Sequence, residues 1–198
     1  MANLVVIGGS NGSGKSTTAP KLLRDTLRVE EFINADDIAG GLSAFRPERV
    51  AFAAGRIMLR RVHELAATKT DFALESTLSS RSLAPWIARM RANGYVFHLI
   101  YLWLSDADLA VRRVAERVRR GGHNVPEDIV RRRYARSLSN FFNIYRPIAD
   151  SWLMLDNSVI DAPNPIAWRN VGGPIQIVQN GPWNRLREEY EKDIFQGR

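Results

Sequence analysis

The segment Gly9-Ser10-Asn11-Gly12-Ser13-Gly14-Lys15-Ser16 constrains this chain more than any other stretch, because it fits the phosphate-loop pattern G-x-x-x-x-G-K-[ST] at every position. Its flanks give the pattern force. Asn3-Leu4-Val5-Val6-Ile7 is a short apolar, β-branched run suited to a buried strand, and residues 16–27 carry helical spacing. Glycines let the backbone turn so tightly that successive N–H groups converge on a polyphosphate, and the following helix adds its positive end. Gly9, Ser10, Asn11, Gly12, Ser13, Gly14 and Thr17 are therefore expected around a nucleoside triphosphate, ATP or GTP. Lys15 would reach its β- and γ-phosphates and the Ser16 hydroxyl would hold Mg²⁺.

The rest of the chain repeats the alternation that this loop demands. Residues 31–34 read as a second strand ending at Ala35-Asp36-Asp37, and a long helical pattern runs from Arg46-Pro47-Glu48 to Ala67. Phe72-Ala73-Leu74 is a third strand ending in Glu75-Ser76-Thr77, followed by a helix over 82–93. The apolar run 95–104 suits a central strand covered on both faces. Ser105 is a candidate cap for a helix over 106–119, Gly121-Gly122-His123 breaks it, and a further helix starts at Pro126 and reaches about Phe142. The last core strand is 152–155, closing at Asp156-Asn157-Ser158. Residues 167–171 and 175–179 flank Gly172-Gly173-Pro174 as a hairpin, and 184–195 reads as a terminal helix.

This pattern predicts an α/β fold of the P-loop NTPase or kinase type: a three-layer α/β/α sandwich with a central parallel five-stranded sheet, a helical lid over about 117–133, and a small C-terminal hairpin and helix over about 164–198. A chain of 198 residues suits a single domain, 1–198. Ligands of such a sheet gather at the carboxyl ends of the strands, where Asp36, Glu75, Ser105 and Asp156 would join the glycine loop.

Charge and composition narrow the partners. The net charge of +7, from 28 Lys and Arg against 21 Asp and Glu, favours anions, and nine arginines fall between Arg112 and Arg136. The chain has no cysteine, so disulfides and thiolate metal sites are excluded, and a reducing cytoplasm is the simplest compartment. The strand pattern begins directly after Met1-Ala2 without a leader-like segment, and no apolar run reaches membrane-spanning length, so no membrane partner is expected.

Phosphoryl transfer needs positioning, charge neutralisation and a carboxylate to receive the acceptor's proton. Asp36 is the preferred general base because it follows the second strand by two residues; Asp37 beside it is the other candidate, and both also suit a helix N-terminus. Glu75 and Thr77 are candidates for contacting the acceptor substrate. Arg117 and Arg120 before the glycine break, and Arg133 after it, could swing onto the phosphates as a lid, whereas a solvated basic face or a nucleic-acid patch is the alternative. His123 suits a lid hydrogen bond rather than catalysis.

Four stretches together carry a family likeness: the phosphate loop, Phe32-Ile33-Asn34-Ala35-Asp36-Asp37-Ile38, Leu74-Glu75-Ser76-Thr77-Leu78-Ser79-Ser80-Arg81, and Arg117-Val118-Arg119-Arg120-Gly121-Gly122-His123-Asn124-Val125-Pro126. In this order they resemble the zeta toxin family of P-loop kinases, in its shorter branch often labelled as ATPase. The resemblance implies ATP- and Mg²⁺-dependent phosphorylation of a nucleotide-sugar such as UDP-N-acetylglucosamine, and a protein antitoxin as partner. It implies Lys15 and Ser16 as the phosphate-loop pair, Asp36 as catalytic base, Glu75 and Thr77 as sugar contacts, and Arg120 and Arg133 as phosphate-binding arginines. Other readings are phosphorylation of a different hydroxyl (a nucleoside, an antibiotic or a nucleic-acid end), an ATP-driven switch, and a nucleic-acid-binding protein.

Overall fold

The computed structural model describes residues 1–44, 46–122, 124–159 and 162–191. His123 and the end of the expected terminal helix therefore lie outside the described residues. The strands are β1 (Ala2–Gly8), β2 (Glu31–Ile33), β3 (Phe72–Ser76), β4 (Tyr95–Trp103), β5 (Ser151–Asp156), β6 (Asn164–Arg169) and β7 (Ile175–Ile177). They form one sheet in the order β2-β3-β1-β4-β5-β6-β7. The first five pair in parallel, as the alternating pattern predicts.

The sheet has seven strands rather than five. The expected C-terminal hairpin starts earlier, at Asn164, and joins the main sheet: β6 runs antiparallel to β5, and β7 antiparallel to β6. An antiparallel edge on a parallel sheet is common in such folds. The sequence pattern hid this because β6 opens with Asn164-Pro165 and β7 is three residues long and exposed on both faces.

The helices are α1 (Lys15–Lys21), continued by a π-helical turn over Leu22–Leu27; α2 (Ala35–Leu42); α3 (Ala51–Ala67), preceded by a 3₁₀ turn at Pro47–Val50; α4 (Leu83–Ala92); α5 (Ala107–Arg119); and α6 (Glu127–Asn140). A π-helical turn, Phe141–Tyr145, and the short α7 (Arg146–Ile148) extend α6, and α8 is Asn180–Tyr190. The extra residue per turn in that π segment coincides with three buried aromatics, Phe141, Phe142 and Tyr145.

Helix α2 is not among the helices read from the sequence pattern, although Asp36 and Asp37 suit a helix start. Gly40 and Gly41 weaken its periodicity, each costing about 1 kcal/mol against alanine. It forms because Asn34 caps it, its side-chain oxygen accepting from the Asp36 N–H at 2.9 Å, with Asp36 and Asp37 in the favourable first turn. A second cap differs from expectation: Asp106, not Ser105, caps α5, its carboxylate accepting from the Leu109 N–H at 2.6 Å.

Alternation in β1 separates the two faces of the sheet. Leu4 and Val6 join the large cluster under α3, α4, α5, α6 and α8, while Val5 and Ile7 join a smaller one under α1. Each such side chain is essentially fully buried, a contribution of about 1.5–3 kcal/mol apiece. Trp183 docks α8 onto the large cluster by stacking on Trp152, ring centres 5.4 Å apart. β4 lies in the middle of the sheet, paired on both sides, as its apolar run predicts; His98 within it is hydrogen-bonded to Ser151 of β5 and Asn3 of β1. Register aligns the strand ends at one edge: Gly8 lies opposite Ser76 and Tyr101, Ile7 opposite Glu75, and Trp103 opposite Asp156.

Candidate active site

The chain between β1 and α1 wraps into a loop whose glycines are sterically required. Gly9, Gly12 and Gly14 have φ of 146°, 77° and 84°. A Cβ at Gly12 would lie 2.7 Å from the Ala110 carbonyl oxygen, and one at Gly14 would lie 2.5 Å from the Asn157 amide nitrogen. Lys15, the first residue of α1, is folded back under the loop and buried, donating to the Ser10 carbonyl at 3.0 Å.

Beside the loop stands Glu75 at the end of β3, its side chain 11 % exposed. Its carboxylate accepts from the Ser16 hydroxyl at 2.9 Å and from the Asn34 amide at 3.2 Å, and lies 3.7 Å from the Lys15 ammonium. This is a desolvated pair rather than a comfortable one. Burial pushes Lys15 below the usual lysine value despite Glu75 and Asp36. Burial also pushes Glu75 above the usual carboxylate range despite Lys15 and Ser16. Both ends lean toward their neutral forms, so their attraction does not repay the lost hydration.

A cavity of about 420 Å³ opens over these groups. Asn11, Gly12 and Gly14 of the loop, with Lys15, Ser16 and Thr17, form its floor, whereas Gly9, Ser10 and Ser13 of the expected set do not line it; Asp36, Glu75 and Thr77 line one side; Arg113, Arg117 and Arg120 of α5 and its end line another. Asp36 and Asp37, adjacent in sequence, diverge: Asp36 lines this cavity, whereas Asp37 lines a second one between β2, α2 and α3. The Thr77 hydroxyl is within 2.8 Å of the Ser79 hydroxyl, and the loop that carries it hangs from α6. Ser137 donates to the Thr77 carbonyl at 2.6 Å and Asn140 to the Leu78 carbonyl at 2.8 Å, while Leu78 is buried at a φ of 54°.

The arginines divide by contact. Arg117 and Arg120 line the cavity, and Arg120, 77 % exposed, pairs with Glu116. Arg133 on α6 does not line it; its guanidinium reaches Asn11 of the loop at 3.4 Å. Arg131 is spent on Asp108 and Glu127. Arg113 donates to the carbonyls of Asn157 and Ser158, both at 2.8 Å.

Sequence reasoning assigned no role to Asn157, Arg113 or Asn34. Asn157 is buried and lines the cavity, its amide donating to the Ser13 carbonyl at 2.8 Å. Its position at the carboxyl end of β5 was the available signal, since that edge gathers ligands. Asn34 was marked by its place just before two carboxylates at a helix start.

The residues present fit a bound triphosphate with Mg²⁺. The loop packs so closely on the Leu102 and Ala110 carbonyls and the Asn157 amide that only glycines fit it, the Ser13 hydroxyl is buried without a partner among the described residues, and a buried ammonium lacks full compensation. Among the described residues there is no cluster of three or more His, Asp or Glu that could hold a metal.

Fold and site together define a P-loop kinase-like nucleotide-binding domain. The chain belongs to the AAA domain family AAA_33, whose match runs over residues 4–143. It is 33% identical over 126 residues to an uncharacterized protein of Haemophilus influenzae strain Rd, covering 64% of this chain and 88% of that relative. Among solved structures it is similar to a chain of the AvrRxo1-ORF1:AvrRxo1-ORF2 complex with sulphate ions, with a TM-score of 0.73, 14% identity and 99% of this chain aligned. It spans 66% of the length of that AvrRxo1 chain. It is similar to a chain of the PezAT toxin–antitoxin system of Streptococcus pneumoniae (TM-score 0.65, 14% identity, 99% of this chain and 80% of that one). A structure assigned to a kinase from Chloroflexus aurantiacus J-10-fl has a TM-score of 0.60 and 16% identity over 94% of each chain. Among the described residues no helix is long and apolar enough to cross a membrane.

Proposed function

We propose that this protein is an ATP-dependent phosphotransferase that moves the γ-phosphoryl group onto a hydroxyl of a small molecule. The observation that carries the proposal is the convergence in one cavity of Lys15, Ser16, Asp36, Glu75, Thr77 and the arginines of α5. In the reaction an acceptor hydroxyl oxygen bonds to the γ-phosphorus while the bond from that phosphorus to the β,γ-bridging oxygen breaks, its electron pair leaving with ADP. Asp36 takes the hydroxyl proton. Lys15 neutralises charge on the β- and γ-phosphates, and its incomplete compensation inside the protein favours a phosphate oxygen as the missing partner.

Bound at the Ser16 hydroxyl, Mg²⁺ supplies charge neutralisation of the phosphate oxygens. Glu75 orients that hydroxyl and, with Thr77, contacts the acceptor. Residues 117–133 act as a lid, Arg117 and Arg120 from the cavity side and Arg133 through the Asn11 side of the loop.

A nucleotide-sugar, with UDP-N-acetylglucosamine first, is the acceptor favoured by the zeta-type motifs and by the fold shared with the PezAT chain; a protein antitoxin is the corresponding partner. A structure of the AvrRxo1 complex with ATP supports ATP as donor. The test is incubation with ATP, Mg²⁺ and UDP-N-acetylglucosamine, followed by mass spectrometry for a gain of one phosphoryl group. No gain, with a screen of other hydroxyl acceptors also blank and ATP untouched, overturns the proposal. ATP consumption without any phosphorylated acceptor would reassign the site to a hydrolytic switch.

A further inference from the structure

In a loop whose N–H groups converge on phosphate, the carbonyls must point outward and find partners elsewhere. The Ser10 carbonyl has Lys15 and the Ser13 N–H, and the Gly14 carbonyl has the N–H groups of Thr17 and Thr18. Among the described residues the Ser13 carbonyl has only Asn157, 144 positions away in sequence, at 2.8 Å. The peptide between Ser13 and Gly14 is trans, so its N–H runs antiparallel to that carbonyl. Holding the carbonyl toward Asn157 therefore holds the Gly14 N–H away from it, toward the inner side of the loop. Among the described residues nothing accepts from that N–H.

Asn157 is itself fixed at several points. Its own N–H donates to the Trp103 carbonyl at 2.9 Å, and Arg113 grips the carbonyls of Asn157 and Ser158. The left-handed Gly14 leaves the space that the amide occupies, since a Cβ there would meet its nitrogen at 2.5 Å. We infer that Asn157 is a positioning residue for the phosphate cradle, orienting the Gly14 N–H toward the triphosphate through the Ser13 carbonyl. This rests on the reading that the loop binds a triphosphate, and it adds a strut from the end of β5, braced by α5, that the loop motif does not contain.

Titration calorimetry with Mg-ATP, inorganic tripolyphosphate and adenosine tests it on the full chain, using the Asn157→Asp and Asn157→Ser variants. A carboxylate at 157 cannot donate to the Ser13 carbonyl, and a serine cannot reach it. Both variants are expected to weaken ATP and tripolyphosphate by the same factor, about 10- to 100-fold, the scale of losing one hydrogen bond to a charged phosphate oxygen. Adenosine binding should not change. With Asn157→Asp alone, the deficit relative to wild type should shrink as the pH falls and the new carboxyl takes up a proton that it can donate. A loss of ATP affinity with tripolyphosphate unaffected would place Asn157 against the base and overturn the inference, as would wild-type affinity in both variants. If the wild-type protein binds neither ATP nor tripolyphosphate, the triphosphate reading falls and the inference with it.

Discussion

The floor of the cavity and the side proposed for the acceptor are held in different ways. The floor is backbone: three glycines at positive φ, carbonyls tied to Lys15, Thr17, Thr18 and Asn157, and almost no freedom to substitute. The acceptor side is made of side chains on short supports: Asp36 in the first turn of an eight-residue helix, and Thr77 on a loop suspended from Ser137 and Asn140 of α6. A backbone cradle recognises what every nucleoside triphosphate shares, whereas a wall of side chains can be rebuilt for a new acceptor without touching the donor site. On the proposed function, donor chemistry is thus written into the local sequence and acceptor identity into a spatial arrangement.

The sharpest way to break this contrast is on the acceptor side. Asp36→Asn should lower kcat by about 100- to 10,000-fold, the usual worth of a general base, while leaving Mg-ATP affinity unchanged and lowering stability by no more than about 1 kcal/mol, the worth of an exposed first-turn carboxylate. Asp37→Asn, facing the other cavity, should stay near wild type. Steady-state kinetics with calorimetric ATP binding checks both; the opposite ranking would move the base to Asp37.

Next in size is the floor. Lys15→Met should cost about 100- to 1,000-fold in kcat/KM, the scale of losing one preorganised charge-stabilising donor. Replacing the whole desolvated pair, in a Lys15→Met/Glu75→Gln double variant, should leave Tm equal to or above that of wild type, since exchanging a buried ion pair for neutral groups is often neutral or stabilising. A large fall in Tm would show that the pair is structural rather than held ready for a ligand.

The same contrast explains what could be read from the chain without its structure. The parallel strands, the glycine loop and the edge that gathers Glu75 and Asp36 follow from local patterns of two to eight residues. Helix α2 was hidden because Gly40 and Gly41 blur its period while a single capping side chain, Asn34, offsets them. Strands β6 and β7 were hidden as members of the sheet because pairing with β5 is a long-range event that a proline-bearing hairpin sequence does not announce. Asn157 and Asn140 were hidden because a lone asparagine has no pattern; only the fold brings one to Ser13 and the other to Leu78. The nine-arginine segment read as one basic surface, yet Arg113 and Arg131 prove to be tied to the protein itself and Arg117 and Arg120 face the cavity.

A smaller effect should come from the suspension of the acceptor loop. Asn140→Ala leaves the buried Leu78 carbonyl without its donor, a cost of about 1–3 kcal/mol in stability by denaturant titration. If α6 serves the acceptor side alone, the acceptor KM rises while ATP affinity holds. An equal loss in ATP affinity would mean that the two sides move as one unit, through Arg133 on the same helix and Asn11 on the loop.

The smallest effect concerns the boundary between the two sides, where Glu75 touches Ser16, Asn34 and Lys15. Burial raises its carboxyl above the usual range against the pull of Lys15 and Ser16. A raised folded pKa means that the native state binds the proton more tightly than the unfolded chain does. Its contribution to stability is therefore complete below the ordinary carboxylate value and is lost as the pH rises through the raised one. Glu75→Gln carries no such titration. The stability of Glu75→Gln minus that of wild type should thus become more positive with rising pH across that window, then level off above it. Thermal unfolding at a series of pH values checks the slope. A difference that falls with pH would mean that Lys15 more than repays the burial of Glu75, making the pair part of the rigid floor rather than a joint between floor and acceptor side.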